Sequence, residues 1–323
     1  MIRIGLACGG GGDIGAAYMA GCISALHEVT GWDPGKADFI VGTSAGSIIG
    51  SALREGIRPE DFHRTMIGAQ VSPDSAKKLT TQVLGGKDDA LPPLAEDALT
   101  NARLNGPSLI TETLKRPLDV NPVALAAAAL PEGRLNHHFV REKILHLTGD
   151  KWPTAPLLVT ATQMSNGRRV VLAKDSRIQT DLATAVAASC SIPSVFNPVT
   201  IDGHKYVDGG LRSSTNADVL ARHELDLVII MAPLSTGSQV TPSLAGPMRR
   251  ACRIAAVAEQ DALKAEGTKA LTFHPSRKTI QAMGLNIMDV TKRARVSSYG
   301  REAALELLNG PKGEAAATAL ANA

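Results

Sequence analysis

The feature that most constrains this 323-residue chain is a Gly-x-Ser-x-Gly motif, Gly42-Thr43-Ser44-Ala45-Gly46. The apolar run Phe39-Ile40-Val41 precedes it, and small and apolar residues at helical spacing follow it. Strand, sharp turn and helix in that order are typical of a nucleophile elbow. Gly42 and Gly46 suit such a turn, because the chain must reverse with little side-chain bulk beside Ser44. We therefore predict that Ser44 is a nucleophile; the alternative is that it only caps the following helix.

The pattern of elements predicts an α/β fold with a mostly parallel central sheet covered by helices on both faces. A strand at 2–8, a glycine-rich loop and a helix at 15–29 form the first unit, and the elbow strand at 38–43 with a helix at 45–55 forms the second. Two such units within 55 residues favour a parallel sheet that is buried on both faces. Further strands are predicted at 157–162, 169–173, 196–201, 205–207, 226–231 and 270–273.

The composition along the chain predicts one domain over residues 2–309. Residues 56–133 are rich in Pro, Gly, Asp and Lys, and apart from short helices at Ser108–Leu114 and Val123–Leu130 they have weak apolar periodicity. We interpret this stretch as a variable insertion or cap over the edge of the sheet. The Ala-rich end, residues 310–323, is expected to be frayed.

The totals exclude several classes of protein. A formal net charge of +3 without a Lys/Arg block gives no indication of nucleic-acid binding, and 3% aromatic residues leave few anchors for a membrane. The chain shows neither a signal peptide nor a membrane-spanning stretch, so we expect a cytoplasmic protein. No motif calls for a cofactor or a metal. The four cysteines are too widely spaced for a metal or redox motif and are expected to be buried thiols: Cys8, Cys22, Cys190 and Cys252.

The glycine loop has two functional interpretations. Gly10-x-Gly12-x-x-Gly15 follows a strand and opens a helix, as in a dinucleotide-binding fingerprint. The second strand, however, ends at Ser44 rather than at the acidic residue that would hold a ribose hydroxyl. The other interpretation is an oxyanion hole, in which the N–H groups of Gly10, Gly11 and Gly12 point to one place beside Ser44. A plain glycine-rich turn is the third alternative.

Two groups are candidates for the base that activates Ser44. His274 follows the last predicted strand and gives the order Ser44, Asp208, His274 of α/β-hydrolases, although those enzymes place several strands before the elbow. The alternative is the aspartate of Asp208-Gly209-Gly210 acting alone, provided that burial raises its pKa. That motif is also compatible with an ordinary turn.

One helix carries a separate candidate for a metal site. Three polar residues at i, i+4 and i+8 fit either a metal site or a solvated polar face: His138, Glu142 and His146.

The glycine-rich loop, Gly-Thr-Ser-Ala-Gly and Asp-Gly-Gly, in this order, resemble the patatin-like phospholipase family. The context of Asp208 is similar too, in Tyr206-Val207 immediately before it and in the segment Ala188–Phe196. The resemblance covers roughly residues 2–232, apart from 56–133. It implies a three-layer α/β fold around a mostly parallel sheet, and a serine acyl hydrolase. One departure is Ile14, preceded by Asp13, at the place where the family loop usually carries Arg or Lys.

The resemblance also implies a mechanism and a class of substrate. Ser44 would be the nucleophile and Asp208 its base, in a dyad without histidine that hydrolyses acyl esters of phospholipid, lysophospholipid or glyceride through an acyl-serine. Contact with a membrane surface would be transient, and the sequence does not indicate an oligomeric state. Because Ile14 replaces the usual cation, the alternative is a non-catalytic protein that binds a lipid or a partner. The glycines that would form the oxyanion hole and shape the motifs are Gly10, Gly11, Gly12, Gly15, Gly42, Gly46, Gly209 and Gly210.

Overall fold

The computed structural model describes residues 2–79, 133, 135–149, 151–237 and 245–323. Within these ranges the strands are β1 Ile4–Cys8, β2 Phe39–Thr43, β3 Leu157–Gln163, β4 Arg169–Leu172, β5 Val199–Ile201, β6 His204–Asp208, β7 Leu227–Met231 and β8 Lys269–Phe273. The α-helices are α1 Gly12–Thr30, α2 Ala45–Arg54, α3 Pro59–Ile67, α4 Pro73–Lys78, α5 His138–Thr148, α6 Leu182–Ser189, α7 Gly246–Ala265, α8 Arg277–Met283, α9 Arg293–Leu308 and α10 Glu314–Ala321. A 3₁₀ segment covers Ala217–Arg222.

The strands form one sheet in the order β5-β6-β3-β2-β1-β7-β8, with β4 also paired to β3. Strands β3, β2, β1, β7 and β8, in this order, are parallel to one another. The pairs β3–β4, β3–β6 and β5–β6 are antiparallel. The prediction of a mixed α/β fold with a mostly parallel sheet is confirmed.

Both faces of the central strands are buried, as alternation along β1 illustrates. Leu6 and Cys8 belong to the larger core, on the side of α1. Ala7 belongs to a second core that also contains Leu220 of the 3₁₀ segment and Leu263 of α7. Successive side chains of a strand point to opposite faces, so a strand with two cores must be apolar throughout. The layers on both faces were predicted correctly.

The helix after β1 packs unusually closely on α9. A Cβ atom at Gly21 would lie 2.1 Å from the carbonyl oxygen of Ser297, and one at Gly300 would lie 2.9 Å from that of Tyr18. Backbones approach this closely only where side chains are absent. The small residues of α1 thus meet a partner helix that lies nearly 280 residues further along the chain.

Two boundaries differ from expectation. The expected cap over 56–133 begins with α3, whose Phe62 is fully buried against the body of the domain, while its predicted helices Ser108–Leu114 and Val123–Leu130 lie outside the described residues. The end of the chain, expected to be frayed, forms α10, and its Leu320 is 1% exposed. In both places one or two apolar residues anchor a short helix that composition alone did not reveal.

The elbow generates a test of backbone packing. A Cβ atom at Gly46 would lie 1.9 Å from the carbonyl oxygen of Cys8, whereas one at Gly15 would make only ordinary contacts of 3.4 Å or more. We expect Gly46→Ala to lower the free energy of unfolding by about 3 kcal/mol or more, since the clash is with backbone that cannot yield. The matched variant Gly15→Ala should not be destabilised. Urea denaturation measures both, and equal midpoints would contradict the packing described.

Candidate active site

Ser44 lies in the turn between β2 and α2 in a strained conformation. Its φ is 52° and its ψ is −125°, and its side chain is buried. A positive φ in a residue other than glycine costs free energy, which the surroundings must offset. The N–H of Ser44 donates to Ser189 Oγ at 2.8 Å, and its carbonyl oxygen accepts from Ser47 Oγ at 2.6 Å. The side chain of Ser44 does not cap α2, so the capping alternative does not describe its hydroxyl.

Asp208 reaches Ser44 across β3. Thr43 of β2 pairs with Thr160 of β3, and the next residue of β3, Ala161, pairs with Asp208. Ser44 and Asp208 therefore stand at the same level of the sheet, on opposite sides of β3. The Ser44 side chain lies close enough to the Asp208 carboxylate to lower the pKa of that carboxylate, so the structure brings together the two residues that the sequence singled out.

The glycines after Asp208 make this approach sterically feasible. A Cβ atom at Gly209 would lie 2.5 Å from the carbonyl oxygen of Thr160, so the chain can pass over β3 only if residue 209 lacks a side chain. The N–H of Gly210 then donates to Asp208 Oδ1 at 2.7 Å and fixes the carboxylate. The Asp-Gly-Gly motif is therefore more than a turn, because Gly209 permits the crossing and a Cβ atom at Gly210 would lie 2.9 Å from Asp208 Oδ1.

Burial raises the pKa of Asp208 from its ordinary value of 3.8 to about 6. The nearby Ser44 side chain and the hydrogen bond from the N–H of Gly210 lower it again, but by less than burial raises it. At neutral pH the carboxylate is still ionised, and it is more basic than an aspartate in water. This is the property that a base acting without histidine requires.

The glycine loop lies against the elbow, and it corrects the predicted set of donors. A Cβ atom at Gly10 would lie 3.2 Å from Cβ of Ser44. The N–H of Gly10, however, already donates to the carbonyl oxygen of Ser214 at 2.7 Å. Among the described residues, the N–H groups of Gly11 and Gly12 have no such acceptor, and both glycines have a positive φ. Gly11 and Gly12 therefore remain as candidate oxyanion donors.

A cation reaches the loop from a distant helix. Ile14, at the position of the family's usual cation, is buried in the core, and its N–H donates to the carbonyl oxygen of Ile287. Asp13 beside it forms an ion pair of 2.5 Å with Nη2 of Arg293, the first residue of α9, whose side chain is 8% exposed. Sequence reasoning missed Arg293, and no local pattern marks it, because its partner is 280 residues away.

A pocket with a largely apolar wall opens beside Ser44. Gly12 and Ser44 both line it, so the loop and the elbow face the same space. Cys190 lines it too, but burial and the neighbouring Asp208 raise the pKa of its thiol, which therefore stays protonated. The remaining described lining residues are Asp13, Ala16, Ala45, Ile48, Phe139, Val140, Lys143, Ile192, Phe196 and Met288. A groove of this composition suits a hydrocarbon chain.

The histidine candidates lie elsewhere. His274 follows β8, which is three strands from β2, a separation of roughly 14 Å at about 4.8 Å per strand. Its Nδ1 contacts Ser235 Oγ at 2.7 Å, and burial, helped by Arg253, lowers its pKa to about 4. His138 Nε2 lies 2.9 Å from Glu142 Oε1, and both side chains are exposed. In the described ranges, no three His, Cys, Asp or Glu residues are placed to hold a metal ion.

None of the described helices combines the length and the apolar character that crossing a bilayer requires.

Comparisons with known proteins give one family and a distant structural likeness. A family model described as "Patatin-like phospholipase" matches residues 6–221. Among solved structures, VipD from Legionella pneumophila aligns at 15% identity and a TM-score of 0.45, covering 95% of this chain and 66% of VipD. The type III effector protein ExoU aligns at 16% identity and a TM-score of 0.40, covering 95% of this chain and 53% of ExoU. The chain thus spans less than two thirds of either protein. No curated protein matches its sequence.

The raised pKa of Asp208 predicts a pH-dependent penalty on stability. Because the folded pKa is about 6 and the unfolded value is 3.8, the folded state loses stability as pH rises from about 4 to above 6. Asp208→Asn keeps an acceptor for the N–H of Gly210 but removes the buried charge. At pH 8 we expect it to raise the free energy of unfolding by up to about 3 kcal/mol, a gain that nearly vanishes at pH 4. Urea titrations at the two pH values measure this, and a variant less stable than wild type at pH 8 would contradict it.

Proposed function

The chain belongs to the patatin-like phospholipase family, and from this premise we propose that it is a lipid acyl hydrolase with Ser44 as nucleophile and Asp208 as general base. The observation that carries the proposal is the juxtaposition of the Ser44 side chain, at the strained elbow, with the Asp208 carboxylate, which the register of β2, β3 and β6 holds at the same level of the sheet. The orphan N–H groups beside it and the apolar pocket support the same chemistry.

In the first half-reaction Ser44 Oγ attacks the ester carbonyl carbon, and its proton passes to Asp208. Negative charge develops on the former carbonyl oxygen, which faces the N–H groups of Gly11 and Gly12; one donor of this kind is worth about 3 kcal/mol. Asp208 then gives its proton to the departing alcohol, and the acyl group stays on Ser44. Because Asp208 is the only proton carrier in this scheme, its pKa must suit both accepting and giving the proton.

In the second half-reaction water attacks the acyl-serine. Asp208 takes a proton from this water, the same N–H groups stabilise the second oxyanion, and Ser44 regains its proton as the fatty acid leaves. The acyl chain lies in the pocket against side chains such as Ile48, Phe139 and Phe196. The substrate is an acyl ester of a phospholipid, a lysophospholipid or a glyceride.

The alternative is a binding protein without catalysis. Its motivation is Ile14, which leaves the loop without a cation of its own. Arg293 weakens that motivation, because it brings a buried guanidinium to Asp13 in the same turn. The two functions differ in one respect that can be measured, since only the hydrolase needs an activated serine.

A fluorophosphonate probe tests for that serine. We expect wild type to be labelled and to hydrolyse short-chain and long-chain p-nitrophenyl esters, while Ser44→Ala should do neither. Asp208→Asn should lose roughly 10²-fold or more in both reactions, because the base is gone while the fold remains. His274→Ala serves as the matched control and should stay active. A folded wild type that is neither labelled nor active would favour the binding protein.

The pH dependence tests the base separately. Since Asp208 must be ionised to accept a proton and its pKa is about 6, kcat/KM should rise with pH and level off above about pH 6. Below that value we expect a fall of about tenfold per pH unit. The residual activity of Asp208→Asn should lack this inflection. A flat wild-type profile from pH 4.5 to pH 8 would argue against Asp208 as the base.

A further inference from the structure

The segment that follows the Asp-Gly-Gly motif contains a fully buried asparagine, Asn216, with a φ of 50°. Its Nδ2 lies within hydrogen-bond distance of four oxygens: Thr43 Oγ1 at 3.0 Å, Thr160 Oγ1 at 3.3 Å, Gly209 O at 3.4 Å and Ser213 O at 2.6 Å. An amide nitrogen has two hydrogens, so these contacts share donors. Together they hold the amide at the point where several segments converge.

The orientation of the amide is fixed by charge. Asn216 Oδ1 accepts from Nη1 of Arg169 at 3.0 Å. Arg169 is itself held by both carboxylate oxygens of Asp218, at 2.6 and 2.7 Å. A flipped amide would place its oxygen against the carbonyl oxygens of Gly209 and Ser213 and its NH₂ group against a guanidinium, which are repulsive contacts on both sides.

The contacts of this segment join all three motifs of the site. Thr43 immediately precedes Ser44, and Gly209 immediately follows Asp208. The carbonyl oxygen of Ser214, two residues before Asn216, accepts the N–H of Gly10 in the glycine loop. We propose that Asn216 is a positioning residue, which sets the nucleophile, the base and the oxyanion loop at their working separations. The inference rests on the proposed function, since it concerns the geometry of that reaction.

The far side of the segment is anchored as well. The buried carboxylate of Glu259, on α7, accepts from Thr215 Oγ1 at 2.5 Å and from the N–H of Ala217 at 2.9 Å. Glu259 thus holds the residues on both sides of Asn216 by hydrogen bonds, which help to offset the free-energy cost of the left-handed backbone at Asn216. The chain of contacts runs from α7 through Asn216 to the ends of β2 and β6.

Asn216→Asp is the sharpest variant, because aspartate has the same shape and keeps an oxygen toward Arg169. It loses both donors and sets an oxygen against two carbonyl oxygens, those of Gly209 and Ser213. A displacement of the order of 1 Å in a reacting group costs roughly 10²-fold in rate. We therefore expect kcat on a p-nitrophenyl ester to fall by roughly 10- to 100-fold and KM to stay within about twofold, since Asn216 does not line the pocket. The rate of fluorophosphonate labelling should fall by the same factor as kcat.

A control of similar destabilisation separates positioning from general stability. Leu220, in the adjoining 3₁₀ segment, is fully buried in the second core and makes no polar contact with the motifs. Leu220→Ala should lower the melting temperature through the cavity it leaves, yet keep kcat within about twofold when both variants are assayed well below their melting temperatures. Should Asn216→Asp yield no folded protein, Arg169→Met takes its place, with an expected several-fold fall in kcat at unchanged KM.

The outcomes distinguish this inference from the function on which it rests. An active wild type with a selective loss of kcat in Asn216→Asp or Arg169→Met supports positioning. An active wild type, with these variants as active as wild type or no more impaired than Leu220→Ala, overturns the inference and leaves the hydrolase intact. A folded wild type that neither labels nor turns over ester overturns the proposed function, and the inference with it.

Discussion

The site depends on a register: Thr43 opposite Thr160, and Ala161 opposite Asp208. This pairing alone places the ends of β2 and β6 at one level on either side of β3. A shift of one residue would turn the Asp208 side chain to the other face of the sheet. The central strands, the crossing at Gly209 and the buried core on both faces all serve to hold that register, and the chemistry proposed for Ser44 follows from it.

Several features of the same site lower the stability of the folded state. Ser44 and Asn216 have positive φ angles, and Asp208 is a buried carboxylate whose pKa is raised to about 6. Each costs free energy that other parts of the fold must offset. The offset comes from hydrogen bonds to the strained residues and from apolar burial in the two cores. The polar contacts that stabilise the strained residues come from parts of the chain that are far apart in sequence. The strain is therefore confined to a few residues, while the contacts that offset it come from several distant segments.

Much of this arrangement could be read from the sequence, because the decisive signals are local. Each of these signals predicts the local structure of the residues that carry it. They are the apolar strand before Gly42, the turn residues around Ser44 and the glycines after Asp208. The class of fold followed from alternation of such signals along the chain. The predicted pair Ser44 and Asp208 was brought together by the sheet, as the ordered motifs had suggested.

What could not be predicted are contacts between residues far apart in sequence. Arg293 reaches Asp13 over 280 residues, and Asn216 reaches Thr43 over 173. The N–H of Gly10 is engaged by Ser214, which no glycine pattern can reveal. The anchoring of α10 through Leu320 has the same cause, since its composition indicates only a weak helix. Sequence patterns identify the candidate functional residues. Tertiary packing decides which of their polar groups are already hydrogen-bonded and which remain free to contact a substrate.

The position of β1 in the sheet has a consequence for the order of assembly. β1 is made well before one of its two neighbours, β7, which begins at Leu227 and lies 223 residues further along the chain. On the ribosome the glycine loop would therefore leave the exit tunnel long before β7 and Arg293 exist to hold it. Contacts of such separation close late and slowly. A nascent chain would therefore carry the elbow without a completed site until the residues beyond Arg293 had also emerged.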